Sequence, residues 1–174
     1  MNTAFYTSAA VALLATLMVI TRRNAMHALL YLIVSLLAVA VVFFTLGAPL
    51  VAALEVIIYA GAIMVLFVFV IMMLNPGAGE GDPPYGGRGQ LLRACAGPAL
   101  LALVLLAELV YVLARSGAAP TGPAAVGPKP VAVLLFGPYL LGVELASILL
   151  LGALVGAYHL ARRSEHTGHE EEEV

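Results

Sequence analysis

The sequence predicts an all-α integral membrane protein with five transmembrane helices. Of its 174 residues, 63% are hydrophobic and only 10% are charged, whereas soluble domains average about 25% charged residues. Five apolar segments are each long enough to cross a hydrocarbon core of about 30 Å, which takes about 20 residues in a helix. They are predicted near Ala4–Ile20, Ala25–Leu46, Leu50–Leu74, Ala94–Ala114 and Pro138–Leu160.

The first segment is predicted to be a retained helix and not a signal peptide. No basic residue precedes its apolar run, and no convincing cleavage site follows it. Only Thr21–Asn24 separate it from the second segment. The two helices are therefore expected to form a tight antiparallel hairpin.

The distribution of Lys and Arg predicts the orientation, because loops rich in these residues stay in the cytoplasm. If five helices alternate, one side of the membrane carries six basic residues and the other carries two. The six are Arg22, Arg23, Arg88, Arg93, Arg162 and Arg163, and the two are Arg115 and Lys129. We therefore expect the N-terminus outside and the C-terminus in the cytoplasm.

Residues 1–163 are predicted to form one transmembrane domain, followed by a disordered acidic tail over residues 164–174 that ends in Glu170–Glu173 and Val174. The stretches Asn75–Gln90 and Ser116–Pro130 are rich in Gly and Pro and are expected to be connectors. The sequence has no glycine-rich phosphate motif, no nucleophile–base pair and no Cys/His metal spacing. These absences argue against a stand-alone enzyme.

Three carboxylates, Glu55, Glu108 and Glu144, fall inside the predicted spans. In the predicted orientation each lies in the outer half of its helix, roughly 7–11 Å from the centre. The inner halves carry none, so either the chain conducts nothing or partner subunits supply the rest of a proton path. Ser147 shares a face with Glu144, which is then either a bonded carboxylate at a helix contact or a proton relay.

The third segment holds the strongest candidate site. Glu55 and Tyr59 share a helix face. Either they form a pair that handles protons or orders water, or Glu55 is simply solvated at the membrane interface or bonded to a neighbouring helix there. Ala60, Gly61 and Ala62 allow another backbone to approach closely. Because glycine tolerates distortion and π-bulges often occur at functional sites, Gly61 with Tyr59 is a candidate hinge.

Other polar residues in the spans have simpler interpretations. Glu108 and Arg115 share a face near one end of the fourth segment and are expected to form an interfacial ion pair. Tyr31 and Ser35 share a face of the second segment. They are expected to make hydrogen bonds between helices.

Two stretches carry a family resemblance. One runs from Arg23–Leu29 through the second segment into Glu55–Leu74, and the other runs from Tyr139 to Leu151 and on to Gly156 and Arg162–Arg163. Both resemble the J subunit (chain 6 family) of proton-translocating NADH:quinone oxidoreductase, respiratory complex I. The run from Glu55 to Phe69 is the most specific part, and the two stretches together cover more than half of the chain.

The resemblance implies a non-catalytic membrane subunit that helps couple quinone reduction to proton translocation. It implies a place in a bacterial inner membrane, among the quinone-site subunit, a small carboxylate-bearing subunit and the antiporter-like subunits. No redox cofactor is expected on this chain, since FMN, the iron–sulfur clusters and quinone belong to partner subunits. No nucleic acid and no metal are expected.

The resemblance also implies a switch in the third helix. Around Tyr59 and Gly61 this helix would change between α and π-bulged forms and so make or break a water wire. Glu55, Glu144 and Val65 are expected to assist proton movement or gating. Helix packing is assigned to Ala60 and Ala62, beside the switch.

Two alternatives stay open from the sequence. In the first, the chain is a purely structural assembly subunit. In the second, it is an independent ion transporter whose outer-half carboxylates form a cation vestibule. The lack of inner-half charges and of internal repeats argues against the second alternative.

Overall fold

The computed structural model describes residues 2–22, 24–74, 87–116 and 125–166, and these are organised almost entirely in helices. The helices are α1 (Asn2–Thr21), α2 (Ala25–Thr45), α3 (Pro49–Leu54), a π-helical segment (Glu55–Ile63), α4 (Met64–Leu74), α5 (Gly87–Ser116), α6 (Pro128–Leu135) and α7 (Leu140–His166). The all-α prediction is confirmed for these residues. The stretch from α3 through the π segment to α4 is one continuous helix, Pro49–Leu74, and is called the third span below.

Four helices among the described residues are long and apolar enough to cross a membrane. They are Thr3–Thr21, Ala25–Thr45, Pro49–Leu74 and Leu140–Arg162. The fourth predicted segment lies in α5, where the apolar run Ala96–Val112 is shorter. The fifth crossing and the orientation of the termini therefore stay predictions.

The chain divides into two compact units, Met1–Gly127 and Pro128–Val174. Helices α1 to α5 belong to the first unit, and α6 and α7 belong to the second. The single transmembrane domain over residues 1–163 stays a prediction.

Both predicted connectors are shorter than expected. Helix α5 begins at Gly87 and α6 begins at Pro128, so the ends of both Gly/Pro-rich stretches are helical. Proline suits the first turn of a helix, where its missing N–H has no partner in any case. Helix α7 continues to His166 and includes the start of the predicted acidic tail. Residues 75–86, 117–124 and 167–174 lie outside the described residues.

The turn between α2 and α3 is set by Gly47. Its φ of 83° is left-handed, a conformation that glycine adopts without steric penalty. The Gly47 N–H donates to the Phe44 carbonyl at 3.1 Å, and the Ala48 N–H donates to the Phe43 carbonyl at 3.0 Å. This pair of bonds is a Schellman motif, which ends α2 and lets Pro49 begin the third span.

Helices α1 and α2 form the expected antiparallel hairpin. Asn24 caps α2, where its side-chain oxygen accepts from the Met26 N–H at 3.0 Å. Farther along the pair, the hydroxyls of Thr16 and Ser35 lie 2.8 Å apart. This contact confirms the predicted interhelical hydrogen bond of Ser35.

The core of the first unit lies where α1, α2 and α5 meet. Its buried residues are Val11, Ala15, Val34, Ala38, Val41 and Leu105. Ala15 and Ala38 have no exposed surface at all. Small side chains at these positions let α1 and α2 approach closely, which is how membrane helices gain packing energy without a hydrophobic driving force between them.

Tyr31 joins the three helices near the start of α2. Its ring is 4% exposed, and the Arg22 guanidinium carbon lies 5.4 Å from the ring centre. The Tyr31 hydroxyl rests against the backbone of α5 at Gly97, where a Cβ atom would overlap it. Only glycine therefore fits at position 97 without displacing a buried ring.

We expect Gly97→Ala to destabilise the first unit by about 1–3 kcal/mol, because the added methyl group overpacks a buried contact. The variant should lower the temperature at which the protein unfolds in membranes. Tyr31→Phe should restore part of that loss, since it removes the hydroxyl that the methyl group meets. Gly127→Ala is the matched control, because a Cβ there meets nothing within 4 Å. Equal effects of the two alanine variants would contradict the assignment.

Candidate functional site

The π segment is the most unusual feature of the third span. It covers nine residues, Glu55–Ile63, whereas π geometry normally occurs as a single-turn bulge. At its end the Met64 N–H donates to the Tyr59 carbonyl, five residues back, and also to the Gly61 carbonyl. The two residues predicted for the hinge, Tyr59 and Gly61, both lie inside this segment.

Gly61 occupies a tight position in the wider turn. A Cβ atom at Gly61 would lie 3.2 Å from the carbonyl oxygen of Val56, which is the residue that a π turn places beneath it. In an α-helix, residue 61 pairs instead with the carbonyl four residues back. A side chain at position 61 therefore crowds the π arrangement.

The side chains of the π segment lie on the surface of this chain, since none of its residues is buried. Tyr59 is 50% exposed, Glu55 and Ala60 are half-buried, and Ala62 is exposed. Among the described residues, no hydrogen bond or ion pair engages the Tyr59 hydroxyl or the Glu55 carboxylate. Val65, in the first turn of α4, is 51% exposed.

An apolar cavity of about 410 Å³, open on one side, lies beside this surface, between α2, the third span and α5. Its lining is contributed by Val34, Leu37, Ala40, Val41 and Phe44 of α2, by Pro49, Ala52, Ala53 and Val56 of the third span, and by Ala102, Leu105, Leu106 and Leu109 of α5. The first part of the third span is therefore not packed tightly against its neighbours on this side.

Glu108 is bonded within the chain. The Thr7 hydroxyl donates to one of its carboxylate oxygens, which links α1 to α5. The other oxygen of Glu108 and the hydroxyl of Ser8 are buried and have no hydrogen-bond partner in the described structure. The predicted ion pair with Arg115 is untested, because the Arg115 side chain lies outside the described residues.

The second unit holds Glu144, which is exposed on α7. The Ser147 hydroxyl donates to the Val143 carbonyl at 3.0 Å, within its own helix. Among the described residues, no His, Cys, Asp or Glu side chains form a group of three that could hold a metal ion. The structure does not test the predicted roles of Glu144 or of the π segment.

Sequence reasoning missed two features of this region. The bond from Thr7 joins residues 101 positions apart in the chain, and no local pattern signals it. The cavity is a tertiary feature as well. The Ala and Val residues that line it look like ordinary membrane-helix residues in the sequence.

These features define the class of protein: a multi-helix chain with several helices long and apolar enough to cross a membrane, and with carboxylate and phenol groups on exposed faces of those helices. A family model described as NADH-ubiquinone/plastoquinone oxidoreductase chain 6 matches residues 15–160. The chain belongs to this family.

Individual relatives agree with the family match. The NADH-quinone oxidoreductase subunit J of Pseudomonas aeruginosa is 58% identical over 166 residues, covering 94% of this chain and 98% of the relative. The subunit J of Escherichia coli (strain K12) is 50% identical over 164 residues, covering 93% and 87%. That of Rhodobacter capsulatus is 39% identical over 170 residues, covering 92% and 81%. These matches confirm the resemblance to the J subunit of complex I.

We expect Gly61→Ala to shift the third span from π towards α pairing. In the π form the added methyl group would lie 3.2 Å from the Val56 carbonyl oxygen. Relief of an overpacked contact of this kind is worth about 1 kcal/mol, so the shift should be about fivefold. A cryo-EM map of the complex would then show the Met64 N–H paired with the Ala60 carbonyl.

Gly142→Ala supplies the control for this change, because a Cβ at Gly142 meets nothing within 4 Å. It should leave the π segment as it is. Unaltered pairing of Met64 with Tyr59 in the Gly61→Ala complex would show that the contact with Val56 does not govern the register.

Proposed function

We propose that this chain is a non-catalytic membrane subunit of proton-translocating NADH:quinone oxidoreductase that helps couple quinone reduction to proton translocation. Its membership of the chain 6 family supports a place in that complex, and its bacterial relatives support a multi-pass location in a bacterial cytoplasmic membrane. The quinone-site subunit, a small carboxylate-bearing subunit and the antiporter-like subunits are its partners. FMN, the iron–sulfur clusters and quinone belong to those partners.

The observation that carries the proposal is the π segment of the third span. A π turn holds more residues than an α turn, so each residue of the π segment turns the chain by less than the about 100° of an α-helix. Conversion to α pairing therefore rotates one end of the span against the other. Such a rotation moves Tyr59 and Glu55 relative to α4. The Met64 N–H reaches the carbonyls of Tyr59 and Gly61, which lie on either side of Ala60, the residue whose carbonyl it would meet in α pairing.

The apolar cavity supports the same proposal. Its wall includes Ala53 and Val56, at the beginning of the π segment. A helix that rotates in a close-packed interior meets steric resistance on every side. The cavity supplies the room into which larger side chains of the third span move during rotation.

Tyr59 is the residue placed on the water wire. Its phenol is half-exposed on the surface of this chain, so it is available to order water leading to carboxylates of the small subunit. Glu55 lies one turn earlier and Val65 lies just beyond the segment, where each contributes to proton movement or gating. Glu144 has the same secondary role on α7, and Ala60 with Ala62 permits close packing beside the wire.

We expect Tyr59→Phe to lower proton pumping and NADH:quinone turnover by about five- to tenfold, because one hydrogen bond of the water wire is lost. The amount of assembled complex should not change. Both activities are measured in membranes with assembly checked by native electrophoresis. Tyr6→Phe makes the same chemical change at a tyrosine that is 69% exposed on α1 and should have no effect. Full activity in Tyr59→Phe would favour the purely structural alternative.

We expect Ala102→Leu to fill part of the cavity from the wall opposite the third span. The larger side chain fits the space at rest but obstructs rotation, so turnover should fall by about fivefold or more while assembly is kept. Ala10→Leu makes the same change at an exposed position of α1 and is the matched control. Normal coupled turnover in the Ala102→Leu complex would show that the proposed switch does not need the cavity.

A further inference from the structure

Helix α7 carries a polar face that no described residue of its own unit covers. All residues of Leu140–Arg162 are exposed except Val143, which is half-buried. A spacing of three or four residues places one set of side chains along a single side of the helix. This set, called the Glu144 face below, comprises Glu144, Ser147, Leu151, Tyr158 and Arg162.

Glu144 is the costly residue on this face. Seven residues separate it from Leu151 at the middle of the span, so it lies about 10 Å from the midpoint and inside the hydrocarbon half-thickness of about 15 Å. No described residue bonds to its carboxylate, and the neighbouring Ser147 hydroxyl bonds to its own helix. A charged side chain at this depth requires a partner inside protein. Arg162 lies about 27 Å away, five turns along the same face, where it reaches the aqueous interface.

We propose that the Glu144 face of α7 binds a transmembrane helix of another subunit of the same complex, and that this helix presents a basic side chain to Glu144. Charge complementarity selects the occupant. Lipid tails offer no counter-charge, and a second copy packed through the same face about a two-fold axis would set Glu144 near a like charge. The proposal rests on membership of the complex and not on the switch in the third span.

The opposite side of α7 has no charged residue. It carries Gly142, Ala146, Leu149, Ala153 and Gly156, which are small or purely apolar. A contact there needs no counter-charge. A probe on Leu149 therefore tests the side without the carboxylate at nearly the same depth as a probe on Leu151.

The first experiment is photo-crosslinking in the assembled complex within native membranes. Benzoyl-phenylalanine replaces Leu151 in one variant and Leu149 in the other, and crosslinked peptides are identified by mass spectrometry. The probe at Leu151 should capture one helix of another subunit. That helix should carry a basic residue at the level of Glu144, about 10 Å along its axis from the crosslinked position. Capture of this chain's own α1–α5, of a second copy, or of lipid alone would overturn the proposal.

The second experiment is a charge exchange. Glu144→Lys should lower the amount of assembled complex about tenfold, since like charges would meet in the contact. The reciprocal change of the captured basic residue to Glu should do the same, and the two together should restore assembly to within about twofold. The charge contact would be overturned if the double variant did not restore assembly. It would also be overturned if Glu144→Lys alone left the amount of assembled complex unchanged. Glu144→Gln, which keeps the shape and removes the charge, should fall between wild type and Lys.

These readouts keep the inference separate from the proposed coupling role. Assembly and crosslinking report the contact of α7, whereas pumping by Tyr59→Phe reports the water wire. Loss of the α7 contact with normal dependence on Tyr59 would refute only this inference. The reverse result would refute only the coupling role.

Discussion

Backbone pairing inside the membrane governs what the third span does. In hydrocarbon every N–H and carbonyl must be bonded within the protein, and a helix is one of the few ways to achieve this. The π segment meets the requirement with bonds to the residue five positions back, as the Met64 N–H shows with the Tyr59 carbonyl. A change between π and α registers exchanges these acceptors without leaving the backbone unpaired. A membrane helix that rotates its two ends against each other in this way keeps its ladder intact.

The remaining helices of the first unit form a frame beside the span that is proposed to rotate. Ser35 bonds to Thr16, Glu108 accepts from Thr7, and Tyr31 is wedged against α5. These contacts hold α1, α2 and α5 at both ends and in the middle. The third span packs against α2 but faces α5 across a cavity, so the part that is proposed to rotate has open space on one side.

The sequence predicts the first three membrane segments to within two residues of the observed helices, because each is a long apolar run with a clear break at either end. It does not predict α6, since Pro128 and Pro130 favour the first turn of a helix as well as a connector. Tyr59 and Gly61 were indicated by a glycine in a membrane helix and by the family resemblance. The sequence does not predict that the π segment extends over nine residues. The same residues satisfy α and π pairing, and only the tertiary surroundings decide between them.

The three membrane carboxylates divide by where their partners lie. Glu108 is bonded inside the chain by Thr7, and it contributes to the frame. Glu55 and Glu144 stand on exposed helix faces with no partner among the described residues, one on each unit. A carboxylate at membrane depth needs a polar or charged partner, or water in a cavity. The arrangement therefore agrees with the proposal that other subunits of the complex supply the rest of a proton path.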